Sequence, residues 1–339
     1  MSNKYKVLIV DDEEDNLNLL YRVLRQEFDI IKSTSPEHAL QMLEENFVDI
    51  IISDHKMPEM DGVEFLKKSY EVRPKAVRLL VTAYSDSNIL INAINDAKIY
   101  RYIKKPWEPA ELLMVIHSAI EYYQLKKEND KLIVDLKELF SGTINAIVEA
   151  LEAKDSFTLG RSKRVTFFIM QMVNCFQFSP AEIGKLELAG LLHDIGMIGV
   201  PEEILNKTGK LTAEEYDIVK QHVNDGIKIL EDIKQLRDVV EIIRYHHERY
   251  DGNGYPNGAK GDEIPLSSKI ISVADAYDSM VSKRSYRESL SHEQAMQIIN
   301  EQSGKQFDPE VVTAFNGIIA GALEKMSTIE DLQLTKENV

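Results

Sequence analysis

His193 and Asp194 are adjacent, His246 and His247 are adjacent, and His222 and Asp275 stand alone, each in a segment of helical spacing. "GKLELAGLLHDIG" is apolar every third or fourth residue and ends in His193–Asp194. "EEYDIVKQHVNDGIKIL" carries His222, "VVEIIRYHHERYDG" carries His246 and His247, and "LSSKIISVADAYDSM" carries Asp275. A lone histidine on an apolar face is ordinarily a satisfied core residue. Several imidazoles and carboxylates in otherwise apolar helices are costly to bury without partners. A shared metal cluster partners them together. Imidazole and carboxylate suit iron, zinc or manganese better than magnesium, and no thiolate is at hand. The loop that follows, "YDGNGYPNG", is turn chemistry in itself, with Gly252, Gly254 and Gly258 around Tyr255–Pro256.

A second set lies near the N-terminus. Asp11 and Asp12 follow the apolar run "YKVLIV", Asp54 follows "VDIIIS", Thr82 follows "VRLLV", and Lys105 follows "YRYIK". Carboxylates converging at strand ends repel one another unless a hard cation such as Mg²⁺ gathers their oxygens. A lysine and a hydroxyl beside them complete a site for accepting and holding a phosphoryl group.

The chain that must position these sets has 339 residues, more than one core usually organises, so two domains are expected. Residues 1–122 alternate β-branched runs with helical patterns, which predicts a doubly wound parallel sheet of five strands. In such sheets ligands sit beyond the carboxyl ends of the strands. From Tyr122 onward Leu125, Leu132 and Leu139 recur every seven residues, with Asn129, Leu136 and Thr143 four after each. That spacing predicts a helical linker over 123–143 that pairs with a second copy as a parallel coiled coil, Asn129 setting the register. Its 18 or so residues would make a rod of about 27 Å. Residues 144–325 read as all helix, and 326–339 as a polar tail.

Composition excludes some partners. A net charge of −16 argues against nucleic acid, because duplex binding needs Lys and Arg to neutralise phosphates. The N-terminus has no signal-peptide pattern, and no apolar run approaches the roughly 20 residues of a membrane helix. The single cysteine, Cys175, cannot form an internal disulfide and is expected to be a small buried hydrophobe. A cytoplasmic protein is expected.

The motifs carry two resemblances. Through "VDD", "SDHKMPEMDG", "TAY" and "YIKKPW", residues 1–122 resemble the receiver domain of bacterial response regulators, whose fold is flavodoxin-like. The resemblance implies Asp54 as phosphoacceptor, with Asp11 and Asp12 as the acid pair and Mg²⁺ held by Asp12 and Asp54. It makes Thr82 and Lys105 the phosphate-sensing pair and Tyr102 the switch aromatic, with a cognate sensor histidine kinase as partner. It gives His55 no role.

Residues 141–325 resemble the HD-GYP phosphodiesterases through "LLHDIG", "H-x-x-x-G" at 222–226, "HHERYDGNGYPNG", "IPLSSKIISVADAYDSM" and "QFDPEVV". The implied fold is an all-α HD-type domain and the implied reaction is hydrolysis of cyclic di-GMP. The family's metal ligands fall on His193, Asp194, His222, His246, His247 and Asp275, with Asp194 bridging two metals and with His193 and Asp194 at the catalytic centre. Gly254, Tyr255 and Pro256 would shape the dinucleotide pocket. Lys283, Arg284 and Arg287 would balance its charge, where the family reads R-P-x-R.

This chain departs from the family at two places. Arg161 stands where the family has a metal-binding histidine, and Met197 where it has the lysine of "HDIGK". Phe157 also stands where three-metal members carry a carboxylate. An arginine does not ligate, and a guanidinium about 5 Å from a divalent ion is repelled by about 6–7 kcal/mol at an effective dielectric of 20. One tightly held metal and a weak or absent second one are therefore expected. Two readings stay open here: a phosphorylation-controlled phosphodiesterase for cyclic di-GMP or another cyclic dinucleotide, and a non-catalytic module that binds nucleotide or a protein partner.

Overall fold

The structure is a computed structural model describing residues 4–83, 97–154, 160–282 and 289–337, with the side chains of the closing helix described as far as Met326. It forms two compact units, 1–137 and 138–339.

In the first unit five strands lie parallel in the order β2-β1-β3-β4-β5. They are β1 (Lys6–Val10), β2 (Asp29–Ser33), β3 (Ile50–Asp54), β4 (Val77–Thr82) and β5 (Arg101–Lys104). Helices α1 (Glu14–Leu24), α2 (Pro36–Glu45) and α3 (Gly62–Val72) connect the first four. Successive strand residues point to opposite faces. Val7, Ile9, Ile50 and Ile52 therefore pack on Leu17, Leu20 and Leu24 of α1, while Leu8, Val10 and Ile51 pack on Leu43 of α2 and Phe65 of α3. Both faces are covered, which is why these strands read as continuous apolar runs. The strand order reverses between β1 and β3. That switch point puts Asp11, just past β1, beside Asp54 at the end of β3.

Helix α4 runs from Pro109 to Glu152, 44 residues or about 66 Å. It is much longer than the expected linker because nothing breaks it: after Pro109 it has no proline and only one glycine, Gly142. Leu112, Ile116, Ala119 and Tyr123 seal one sheet face, and Ile144 and Val148 join the core of the second unit. Between them Leu125, Leu132, Leu136 and Leu139 are exposed.

The second unit is helical: α5 (Arg161–Met172), α6 (Pro180–Leu192), α7 (Glu202–Leu205), α8 (Ala213–Lys220), α9 (His222–Leu230), α10 (Arg237–Arg244), α11 (Leu266–Val281), α12 (His292–Glu301) and α13 (Pro309–Glu337). Its core joins Phe168 of α5, Leu186 of α6, Ile243 of α10, Tyr277 of α11 and Phe315 of α13. Phe168 and Phe315 meet the Tyr277 ring edge-on, with centroids 5.1 and 5.2 Å away. The segment read as one helix around His222 is two, because the chain turns at Gln221. Helix α13 continues over residues expected to be a polar tail. Cys175 is exposed, contrary to expectation. It ends a short 3₁₀ turn (Val173–Cys175) that closes α5, and Val173 takes the inward position.

Candidate metal centre and phosphoacceptor site

Four elements of the second unit converge. His193 caps the C-terminus of α6, His222 opens α9, His246 and His247 follow α10, and Asp275 sits within α11. The Nδ1 atoms of His193, His222 and His246 lie 2.8, 2.6 and 2.6 Å from the backbone oxygens of Gly190, Val219 and Ile243. A carbonyl only accepts, so each Nδ1 carries the proton and each ring turns Nε2 inward. All three Nε2 atoms are buried without a hydrogen-bond partner.

Orphaned buried polar atoms of this kind call for a ligand. One ligand atom each from Asp194, His222, His246 and His247 lies within 4.8 Å of the others, as does one each from His193, Asp194 and Asp275. Burial, helped by the neighbouring imidazoles, holds His246 well below its usual pKa and lowers His247 to about 3. Both are neutral donors. Three imidazoles and a carboxylate fit one transition metal.

The second ligand position is different. Arg161 enters from the first turn of α5 with Nε 3.2 Å from Asp194 Oδ2 and Nη2 2.5 Å from Asp275 Oδ1. His193 Nε2 lies 3.3 Å from each carboxylate. Burial opposes charge on His193, but Asp194 and Asp275 outweigh it and raise its pKa to about 10. Burial would likewise raise both carboxylates, yet His193 and Arg161 hold them low. The guanidinium does not swing away: it stands between the two carboxylates of this second group.

Small residues make the convergence possible. A Cβ on Gly196 would stand 1.8 Å from the backbone oxygen of His222 and 2.5 Å from the nitrogen of Gly226, so the loop after Asp194 can lie directly on α9. A Cβ on Gly254 would meet Arg249 N at 2.4 Å, so the glycine-rich loop folds back under the histidine turn. There the Tyr255 ring packs on His247 at 4.9 Å. Sequence reasoning missed Glu248: its buried carboxylate accepts the N–H groups of Asn257 at 2.6 Å and Gly258 at 3.1 Å and anchors the loop. The signal was a charged residue inside the histidine turn. A cavity of about 210 Å³ opens over the cluster, lined among others by Arg161, Asp194, Met197, His222, His247 and Tyr255. Lys283, Arg284, Arg287 and Phe157 lie outside the described residues.

In the first unit Lys105 pairs with Asp54 and, at 3.1 Å, with Asp11. Burial alone would lower the Lys105 pKa, but the two carboxylates outweigh it and raise it. Asp54 also accepts the N–H of Lys56 at 2.8 Å, and Asp11 that of Glu13 at 3.0 Å. Asp12 is exposed and Tyr102 half exposed. His55, given no role above, lies with Nδ1 3.2 Å from the Thr82 hydroxyl.

The two units have separate kin. A response regulator receiver model matches residues 7–117, and an HD domain model matches residues 145–311. The chain is 34% identical to a "Cyclic di-GMP phosphodiesterase" of Thermotoga maritima, an alignment covering 91% of this chain and 89% of that protein. It is 29% identical to the "Cyclic di-GMP phosphodiesterase response regulator RpfG" of Xanthomonas campestris over 91% of this chain and 86% of that one. A "3'3'-cGAMP-specific phosphodiesterase 2" of Vibrio cholerae is 35% identical over 60% of this chain and 40% of its own length. The chain belongs to the response regulators that join a receiver to an HD-GYP phosphodiesterase domain. An HD domain implies divalent-metal binding and hydrolase chemistry. Among the described residues no helix is long and apolar enough to cross a membrane.

Gly196→Ala should destabilise the protein by about 1–3 kcal/mol through overpacking against α9 and lower its metal content. Gly184→Ala in α6, where a Cβ meets nothing within 4 Å, should be neutral or stabilising. Thermal melts with metal analysis check both; equal effects of the two variants would contradict the close-packing argument.

Proposed function

We propose that this chain is a cytoplasmic response regulator that hydrolyses cyclic di-GMP under the control of Asp54 phosphorylation. The observation that carries the catalytic half is the inward-turned, unpartnered Nε2 atoms of His222 and His246 beside Asp194 and His247. Those four residues would hold one iron, manganese or zinc ion. When bound, the ion supplies positive charge to the scissile phosphate and lowers the pKa of a water. The chain's own groups do the rest. The carbonyls of Val219 and Ile243 keep the imidazole planes in place, and Asp194 ties α6 to α9. The Tyr255 ring shields His247 and lines the cavity, and Gly254 and Pro256 on either side of it would shape the dinucleotide pocket. Hydrolysis adds the water oxygen to phosphorus and breaks one phosphorus–oxygen ester bond. The leaving ribose oxygen takes a proton, and a linear dinucleotide results.

In the receiver, Asp54 would take a phosphoryl group from a cognate sensor histidine kinase. Mg²⁺ held by Asp12 and Asp54, with Asp11 behind them, would offset the charge of the transfer. Lys105 is already paired with Asp54, and Thr82 stands at the adjacent strand end, so both can hold the new phosphoryl oxygens. Tyr102 on β5 would report the change at the surface.

A second copy of the chain is the proposed occupant of the exposed leucine stripe on α4. Leu125, Leu132 and Leu139 are 65, 61 and 67% exposed, in heptad spacing with Asn129. A parallel coiled coil over residues 122–143 buries that stripe and tolerates the asparagine.

A second substrate, another cyclic dinucleotide such as 3′3′-cGAMP, is favoured only by the similarity to the Vibrio enzyme. Purified protein incubated with each dinucleotide, with products resolved by chromatography, should release linear product from cyclic di-GMP faster. Chelation or His247→Ala should abolish it. Faster turnover of 3′3′-cGAMP would move the assignment to that substrate. A small-molecule phosphodonor with Mg²⁺ should label Asp54, and Asp54→Asn should remove the label. Light scattering at micromolar concentration should give a dimer mass that Leu132→Glu with Leu139→Glu halves; a monomer in the unmutated protein would rule the coiled coil out.

A further inference from the structure

We propose that Arg161 is a catalytic residue: its guanidinium takes the place of a second metal ion and donates an N–H to a non-bridging oxygen of the scissile phosphate. The inference rests on the phosphodiesterase reading above and adds a residue that the family pattern does not supply.

Half-buried Asp194 and buried Asp275 line one pocket in a helical core, and two such carboxylates need compensation. Arg161 gives it, with Nε 3.2 Å from Asp194 Oδ2 and Nη2 2.5 Å from Asp275 Oδ1.

The guanidinium's own hydrogen bonds are incomplete. A guanidinium carries five N–H donors in a fixed fork. Nη2 reaches Asp275, and Nε faces Asp194 at ion-pair distance without hydrogen-bond geometry. Nη1 is buried and has no acceptor at all. Arg161 is only 8% exposed and lines the cavity over the metal cluster, as do Asp194, His222 and His247. A buried donor left unsatisfied is destabilising, a cost a site retains where a ligand supplies the partner. An anionic phosphate oxygen is the acceptor that suits a guanidinium best.

The fold holds this side chain where it is. Arg161 opens α5, and the buried Glu152 carboxylate at the end of α4 accepts the N–H groups flanking it, Gly160 at 2.7 Å and Ser162 at 3.0 Å. A donor placed before the substrate arrives needs no reorganisation as charge develops on the phosphate. Removing Arg161 would leave Asp194 and Asp275 without the cation that pairs with both, in a pocket that then repels the phosphodiester.

The test compares the full-length protein with Arg161→Ala, Arg161→Lys and Arg161→His, each checked for folding by its thermal melt. The unmutated protein should carry one metal per chain. Arg161→Ala should keep that metal and lose about 100–1,000-fold in kcat, the loss typical of one transition-state donor, with KM much less affected. Millimolar guanidinium should restore part of the rate to Arg161→Ala. Arg161→Lys should fall between the two, and Arg161→His should bind a second metal. Binding of inorganic phosphate, measured by calorimetry, should weaken in Arg161→Ala and persist in Arg161→Lys. Two metals per chain in the unmutated protein, or unchanged kcat and phosphate affinity in Arg161→Ala, would overturn the proposal. If the unmutated protein turns over no cyclic dinucleotide, the phosphodiesterase reading fails, and metal count and phosphate affinity still decide the role of Arg161.

Discussion

One carboxylate organises the second unit. Asp194 Oδ2 lies 3.2 Å from Arg161 Nε and 3.3 Å from His193 Nε2, while Oδ1 lies 3.6 Å from His222 Nε2. These partners come from α5, the end of α6 and the start of α9, so a single side chain ties three elements at their meeting point. Half-buried, it is held as an anion by these partners. The remaining geometry follows from keeping them there. Gly196 and Gly226 let the loop after Asp194 rest on α9. Backbone carbonyls one helical turn back along the chain aim the imidazoles.

The same logic separates two halves of one cluster. On one side, burial among like groups keeps His246 and His247 neutral, and neutral imidazoles ligate. On the other, Arg161 pairs with both Asp194 and Asp275 and sets a guanidinium between them. The residues differ little in type. Their neighbours decide whether the pocket takes a cation from solution or supplies its own.

The receiver site rests on topology where the metal centre rests on side-chain packing. A parallel sheet whose strand order reverses between β1 and β3 must bring the ends of those strands together, so Asp11 and Asp54 meet wherever that order forms. Lys105, arriving from β5, then balances both. His55 adds a contact to Thr82 that motif reasoning overlooked, because nothing in a sequence tells which way a residue after a strand end will turn.

Much of this was legible in the residues themselves. The five strands, their parallel order and the all-helical second unit follow from hydrophobic periodicity. The six ligand candidates follow from polar residues set into apolar helices. Heptad leucines marked the stripe on α4, although the helix proved more than twice the expected rod because no residue ends it before Glu152. Chain order could not say that Cys175 lies outside the core, that the helix around His222 breaks at Gln221, or that Glu248 holds the glycine-rich loop. These outcomes depend on which face packs against which neighbour. Arg161 shows the division most clearly. Its type announced that a metal ligand was missing. Only the packing of α5 against α11 and the end of α6 decided that its guanidinium would stay between Asp194 and Asp275. A charge is held by partners that come together in space, and here they lie 33 and 114 residues away along the chain.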